Sequence, residues 1–372
     1  MKALTVRHGS AAHRTIQVAA YGLLAVAVVL IAVYQPDYLL INYASVAAWA
    51  VAVLGLNLVV GYGGLFTFSQ SAFFGLGAYV TAILVSDEGW SFLATLPVVA
   101  VCCGTIGLVL GLPALRIRGL YLAVVSFALV LAFPSIAKMD QLTDWTGGAN
   151  GKSAFIEWSA PVWFPLAVTD RGWQFLTLAV IAAVLFWLVS NALRSRVGRA
   201  LMALRDNETG AAVSGVSLAW WKASAFVVGS ALAGIGGAML VLVVPIVGPD
   251  SGGFLVAMSL ITGLLLGGSG TVAGAALGGA AIVWIPQFSQ NVASALPFLD
   301  SNKAPAFTNV VYGAILIVVI FVMPGGIVSF LRRVRDLFLR VEHVLPATEA
   351  QPVEAESLDL VGSNERAGSS RG

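Results

Sequence analysis

No Asp, Glu, Lys, Arg or His occurs within any of the ten long apolar stretches of this 372-residue chain. Transporters driven by protons or ions usually keep an ionisable group at membrane depth. Its absence here argues against proton coupling, although Na⁺ can be held by carbonyls and hydroxyls alone. The same absence leaves no cluster of acid, base, metal ligand or nucleophile for a membrane enzyme, so no catalytic residue and no metal site are expected. Cysteine is almost missing: Cys102 and Cys103 are adjacent in one stretch. Neighbours on a helix point in different directions, so both read as small packing residues and not as a disulfide or metal site. Charge is scarce at 10%, against about 25% in soluble domains. No polar segment is long enough to fold an ATPase domain, so any ATP that drives this chain is bound by another polypeptide.

What is present is apolar. Hydrophobic residues make up 59% of the chain and the mean hydropathy is +0.91. The runs are about 18–22 residues long, enough to cross a hydrocarbon core as helices. They lack the period-two alternation of a barrel. The sequence therefore predicts an all-α polytopic membrane helix bundle. The spans fall at 16–34, 40–60, 65–85, 92–112, 119–137, 173–193, 223–245, 253–268, 271–286 and 306–323. That makes ten, or nine if 253–286 is one bent element. Glycine, 40 of 372 residues, lets helices approach closely or interrupts them. The basic start (Lys2, Arg7, Arg14) and the run to Tyr34 read as an uncleaved first span, since the run exceeds a signal-peptide core and no small-residue cleavage site follows.

Orientation follows from Lys and Arg near the span ends. With the N-terminus inside, the inner segments hold Lys2, Arg7, Arg14, Arg116, Arg118, Arg194, Arg196, Arg199, Arg205, Lys222, Arg332, Arg333, Arg335 and Arg340. The outer ones hold Lys138, Lys152, Arg171 and Lys303. Both termini are then cytoplasmic. The predicted organisation is an N-terminal segment 1–15, a membrane domain 16–340 with an outer loop 138–172 and a basic inner loop 194–222, and a tail 347–372. The tail is rich in Glu, Ser and Gly and reads as disordered.

Four segments could carry function. Thr146 to Ser153 (TGGANGKS) suggests a phosphate-binding loop, but Thr146 stands where the first Gly belongs, no strand precedes it, and it lies on the wrong side for ATP. An outward glycine turn is the better reading. In Gly55 to Tyr79 a glycine cluster precedes a polar patch, Thr67, Ser69, Gln70 and Ser71, with Asn57 just upstream. Polar groups at membrane depth must be satisfied, so they face the bundle interior, either lining a pathway across an interrupted helix or bonding helices together. Leu266 to Gly279 repeats the glycine texture, as internally repeated transporters do. The inner loop predicts a short helix over 199–205 carrying Arg199 and Arg205, then a second one capped by Asn207, starting at Glu208 and ending near Gly215. Leu201, Leu204 and Val213 are its apolar points. Such a loop can dock onto a partner or lie on anionic lipid headgroups.

Taken together, "GLNLVVGYGGLFTFSQSAFFGLGAY" (55–79), "LRIRGLYLA" (115–123), "TGGANG" (146–151), "GRALMALRDNETGAAVSGV" (198–216) followed by Lys222, and "GPDS" (248–251) ahead of "LLGGSGTVAGAALG" resemble the LivH/LivM family. These are permease subunits of bacterial ABC importers for branched-chain amino acids, and the likeness is to the LivM type over roughly residues 40–335. Two departures stand in the polar patch: the family usually has a His at the position of Gln70 and a Leu-Gly pair near Phe68-Ser69. The resemblance implies a translocation subunit that binds no cofactor itself. ATP would be used by two partner ABC ATPase subunits, beside a second permease of the LivH type and a periplasmic or lipid-anchored solute-binding protein, with no nucleic acid involved. It favours ATPase docking for the inner loop. Urea or a short amide is the alternative substrate, and a stand-alone secondary transporter or facilitator is the alternative class.

Overall fold

The computed structural model describes residues 11–114, 120–161, 168–294, 304–323 and 325–338. Its helices are α1 (Ala11–Tyr34), α2 (Asp37–Leu56), a π-helical turn (Asn57–Tyr62), α3 (Gln70–Ser86), α4 (Phe92–Ala114), α5 (Leu120–Ala137), α6 (Thr143–Thr146), α7 (Asp170–Arg194), α8 (Arg196–Asp206), α9 (Glu208–Val213), α10 (Leu218–Val241), α11 (Phe254–Gly267), α12 (Val272–Ser294), α13 (Ala304–Val322) and α14 (Gly326–Phe338). By their contacts, residues 23–333 form one unit. Residues 1–22 with 334–372 form another, of which the described parts are the start of α1 and the end of α14. The segment 115–119, part of the "LRIRGLYLA" stretch, and the predicted tail 347–372 lie outside the described residues.

Among the described residues, six helices are long and apolar enough to cross a membrane, and α5 with the segment to Thr146, bent by 68°, makes a seventh. Ala25–Tyr34 and Gln70–Ser86 are shorter apolar helices. The all-α polytopic architecture therefore stands. One helix start differs clearly from the sequence reading: the predicted span 65–85 begins as helix only at Gln70, because Gly63 and the left-handed Gly64 (φ +67°) end the preceding turn. The segment 253–286 holds two helices, α11 and α12, as drawn, separated by the left-handed Gly268 and Gly270.

Helix α10 is the centre of the larger unit, packed against α2, α3 and α4. Its glycines explain why one helix can serve three neighbours. A Cβ at Gly236 would meet Ala52 of α2 at 2.9 Å, one at Gly237 would overlap the Phe74 carbonyl of α3, and one at Gly234 would overlap the Cys103 sulfur of α4. Small residues on each face let backbones come together where apolar burial alone gives helices in lipid little reason to associate. Accordingly 72% of the most apolar window is buried in α2 and in α10, against 22% in α7, which faces outward. Cys103 is a buried packing residue, its thiol 3.7 Å from the Phe73 carbonyl.

The connecting segments collect at two ends. At one end, strands β1 (Lys152–Ser153) and β2 (Ile246–Val247) pair antiparallel, Lys152 opposite Val247. Thr169 Oγ1 donates to Asp37 there, and Lys152 Nζ lies 2.7 Å from Asp87. The hydrogen bonds from Lys152 and then Ser86 hold the Asp87 carboxyl below its ordinary range. Lys152 is thus occupied, and TGGANG is a turn with left-handed Gly147, Gly148 and Gly151. At the other end lie the π-helical turn, α8, α9 and the α11–α12 turn. Helix α10, 24 residues long, separates the ends by ~36 Å at 1.5 Å per residue. Among the described residues, Lys152 and Ser153 thus lie at one end of α10, and α8 and α9 at the other.

Candidate functional site

Residues 63–69 form an irregular break between the π-helical turn and α3. Thr67 and Ser69 lie in the break, and Gln70 and Ser71 open α3. All four are buried, at no more than 2% exposure. Thr67 and Ser69 satisfy each other across 2.9 Å. Ser71 Oγ is 3.4 Å from the Phe68 carbonyl. The break is also held from outside its own segment, since Phe68 N–H donates to Ser126 Oγ on α5 at 3.0 Å. Ser126 was not among the expected site residues. Ser126 is the one serine in the middle of the largely apolar α5, and that is the signal that could have found it.

Gln70 is different. Its amide nitrogen and oxygen are both buried without a hydrogen-bond partner. The side chain reaches α10, where a Cβ on Gly229 would lie 3.4 Å from its Nε2. The next residue, Ser230, also has a buried hydroxyl without a partner. Each such group costs ~1–3 kcal/mol relative to a satisfied one; Gln70 places its spare amide at the α3–α10 seam, while the Ser230 hydroxyl faces Gly107 of α4. Asn57, by contrast, is fully used. Its Nδ2 donates to the Thr271 carbonyl and its Oδ1 accepts from Gly270 N–H, both at 2.8 Å. It clamps helix ends together and is not among the residues lining the cavity beside the break.

A cavity of about 480 Å³ opens beside the break, with Val60, Phe66, Ile261, Leu264 and Leu265 on its apolar side and Gly61, Thr67, Arg205 and Ser269 on its polar side. It brings together one residue expected in a pathway, Thr67, and one expected in the inner loop, Arg205.

The inner loop folds as two helices. Ser195 Oγ caps α8 by accepting from Val197 N–H, and Asn207 Oδ1 caps α9 by accepting from Gly210 N–H. Gly215, with φ +82°, follows the end of α9. Lys222 Nζ meets Glu208 at 2.6 Å, which fastens α9 to α10. Leu201 and Leu204 are not outward apolar points: each is 2% exposed and turned into the protein. The helix packs on α7 and α10, so its apolar stripe is spent on its own bundle. Val213 is the apolar point that stays out, 86% exposed, with Met202 40% exposed on α8. Arg199 and Arg205 are exposed, and Arg205 Nη1 donates to the Gly61 carbonyl at 2.8 Å.

A bundle with glycine-interrupted helices, a buried polar break and paired amphipathic helices at one end is a transport permease in type. Comparison with known proteins agrees. Residues 38–320 match the family model described as branched-chain amino acid transport system / permease component, and the chain belongs to that family. It is 30% identical over 243 residues to the Escherichia coli high-affinity branched-chain amino acid transport system permease protein LivM, covering 59% of this chain and 56% of that one. To the E. coli permease protein LivH it is 24% identical over 301 residues, 76% of this chain and 92% of the relative. To BraD of Pseudomonas aeruginosa it is 31% identical over 156 residues, 42% of this chain and 47% of the relative. The match thus spans little more than half of LivM. No solved structure matches the chain.

Proposed function

We propose that this chain is a translocation subunit of an ATP-driven importer in a bacterial inner membrane, carrying branched-chain amino acids or closely related small solutes. The observation that carries the reading is the pairing of a charge-free membrane bundle with capped helices α8 and α9 at one end. A span set without ionisable groups has no ion relay of its own, and α9 offers Val213 to a partner while α8 is anchored in the bundle. The energy then comes from two ABC ATPases bound at the 194–222 segment. A second permease of the LivH type would complete the pathway and an external binding protein would deliver solute. The chain performs no catalysis and binds no nucleotide. A zwitterion suits hydroxyls, an amide and half-helix ends, as in other transporters with interrupted helices.

Val213→Glu places a charge on the exposed apolar point without touching the bundle. ATPase recovered with tagged permease from native membranes is expected to drop roughly 5–30-fold, the loss of one interface anchor. Full recovery removes Val213 from the docking surface, and a wild-type preparation with no ATPase refutes the importer reading.

The ten-span topology with both termini inside is part of the same proposal. In a background with Cys102 and Cys103 replaced by Ala, single cysteines at Ser153 and Ser195 are expected to react with an impermeant maleimide from opposite faces, Ser153 from the periplasm. Reaction of both from one face sinks the topology.

A further inference from the structure

We propose that Arg205 is a positioning residue for transport: it ties α8 to the π-helical turn after α2, which Asn57 in turn locks to the α11–α12 turn, so that displacement of α8 is passed into the ends of α2 and α12. The inference rests on the importer reading above.

Arg205 lies in a cradle of three glycines. Its Nη1 donates to Gly61 at 2.8 Å. A Cβ at Gly64 would stand 2.9 Å from Arg205 Cγ, and one at Gly270 would stand 3.0 Å from Nη1. Larger residues at these positions would push the guanidinium out. Gly61 belongs to the π-helical turn after α2, and Gly270 belongs to the α11–α12 turn. Asn57 locks these two junctions together through Gly270 N–H and the Thr271 carbonyl. It can do so because Gly61 has no side chain: a Cβ there would overlap Asn57 Oδ1. A further contact reaches the start of α14, where a Cβ on Gly326 would meet Gly268 at 2.6 Å.

The tie can move more than one element because of where it attaches. A π-helical turn within a span departs from regular α-helical hydrogen bonding, and such turns gather at functional sites. A hydrogen bond from a guanidinium to a carbonyl is stronger than a neutral one. The competing ion pair, Arg205 Nε to Asp206 at 3.4 Å, lies in the open, with side chains 45% and 70% exposed. The cavity of about 480 Å³ adjoins Gly61, Arg205 and Ser269, leaving these groups unpacked on one side. Burial of Leu201 and Leu204 makes α8 a rigid lever, and Arg205 is the next residue along it.

The test uses the whole complex in proteoliposomes, with leucine as the probe, and reads ATP hydrolysed per leucine imported. Wild-type complex without ATP-dependent leucine uptake refutes the importer reading and this inference with it. Given wild-type coupling, Arg205→Met is expected to raise the ratio about tenfold, within the range of typical coupling free energies. Arg205→Lys, which keeps one donor for the Gly61 carbonyl, is expected to restore most of it. A wild-type ratio in Arg205→Met overturns the proposal. So does equal loss of uptake and hydrolysis in both variants with a lower melting temperature, the signature of structural glue. If Arg205→Met does not assemble, Asn57→Asp decides. It still accepts from Gly270 but no longer donates to Thr271, and an unchanged ratio there overturns the proposal while a raised ratio supports it.

Discussion

Gly77→Leu is expected to abolish accumulation of the folded protein, the largest stability effect of any single change considered. Gly77 of α3 faces α10, where a Cβ would overlap the Gly234 carbonyl and come within 2.6 Å of its Cα. Those atoms are backbone of one of the two most buried spans in the bundle, so they cannot swing aside as a side-chain tip can. Inserting even small extra volume into a packed core costs ~1–3 kcal/mol, and a four-carbon side chain against backbone forces the helices apart. The contact between Gly237 and the Phe74 carbonyl, one turn along the same seam, would be lost with it. Gly104→Ala is the control. There a Cβ would find its nearest neighbour, Val227 Cγ1, at an ordinary 3.5 Å, so stability should be unchanged or rise by up to about 1 kcal/mol, Ala being the better helix former. Fluorescence-detected size exclusion after mild detergent extraction compares the two. A monodisperse Gly77→Leu peak at wild-type yield contradicts the close α3–α10 approach.

The second large effect is on transport. Gln70→Leu is expected to cut uptake by about tenfold or more while leaving the melting temperature unchanged or higher. The reasoning turns on the unpartnered amide. Both polar atoms of Gln70 are buried and unbonded, and replacing an unsatisfied buried polar group by an apolar one of similar size is neutral or stabilising. A purely structural account therefore forecasts a slightly more stable, fully active protein. A pathway account requires the amide to find its partner, solute or water, when the α3–α10 seam opens, and forecasts loss of uptake or changed selectivity. Uptake of leucine, other amino acids and urea, measured beside a thermal melt in detergent, separates them. Normal uptake throughout leaves Gln70 as packing. A drop in melting temperature shows that the amide has a structural bond in the membrane.

Much of this was legible in the sequence because lipid imposes a severe rule: an apolar, charge-free run of about 20 residues has few options besides a helix. The cap and the end of α9 were equally legible, since Asn207 and Gly215 act on the backbone within a few residues, whereas α8, drawn from 199, starts at Arg196 under a Ser195 cap that the reading missed. Local patterns misled where the outcome hung on distant neighbours. Leu201 and Leu204 read as docking points on an exposed helix, yet α7 and α10 cover them. Asn57 read as part of a pathway, yet its partners are Gly270 and Thr271, more than two hundred residues away. The third span was drawn from Leu65, because hydropathy does not register that two glycines can stop a helix before Gln70 starts the next.

The sequence by itself determined that this protein is a helical membrane bundle with apolar, charge-free stretches long enough to span. These follow from the cost of burying charge or unbonded backbone in hydrocarbon, paid residue by residue. Only the tertiary structure decided which polar groups are spent and which are spare. Thr67 and Ser69 satisfy each other, Asn57 closes a junction, Arg205 bonds Gly61, and Gln70 is left with nothing. That division depends on which helices the glycines of α10 allow to touch, and a hydrogen bond across such a contact has no counterpart in the local order of residues.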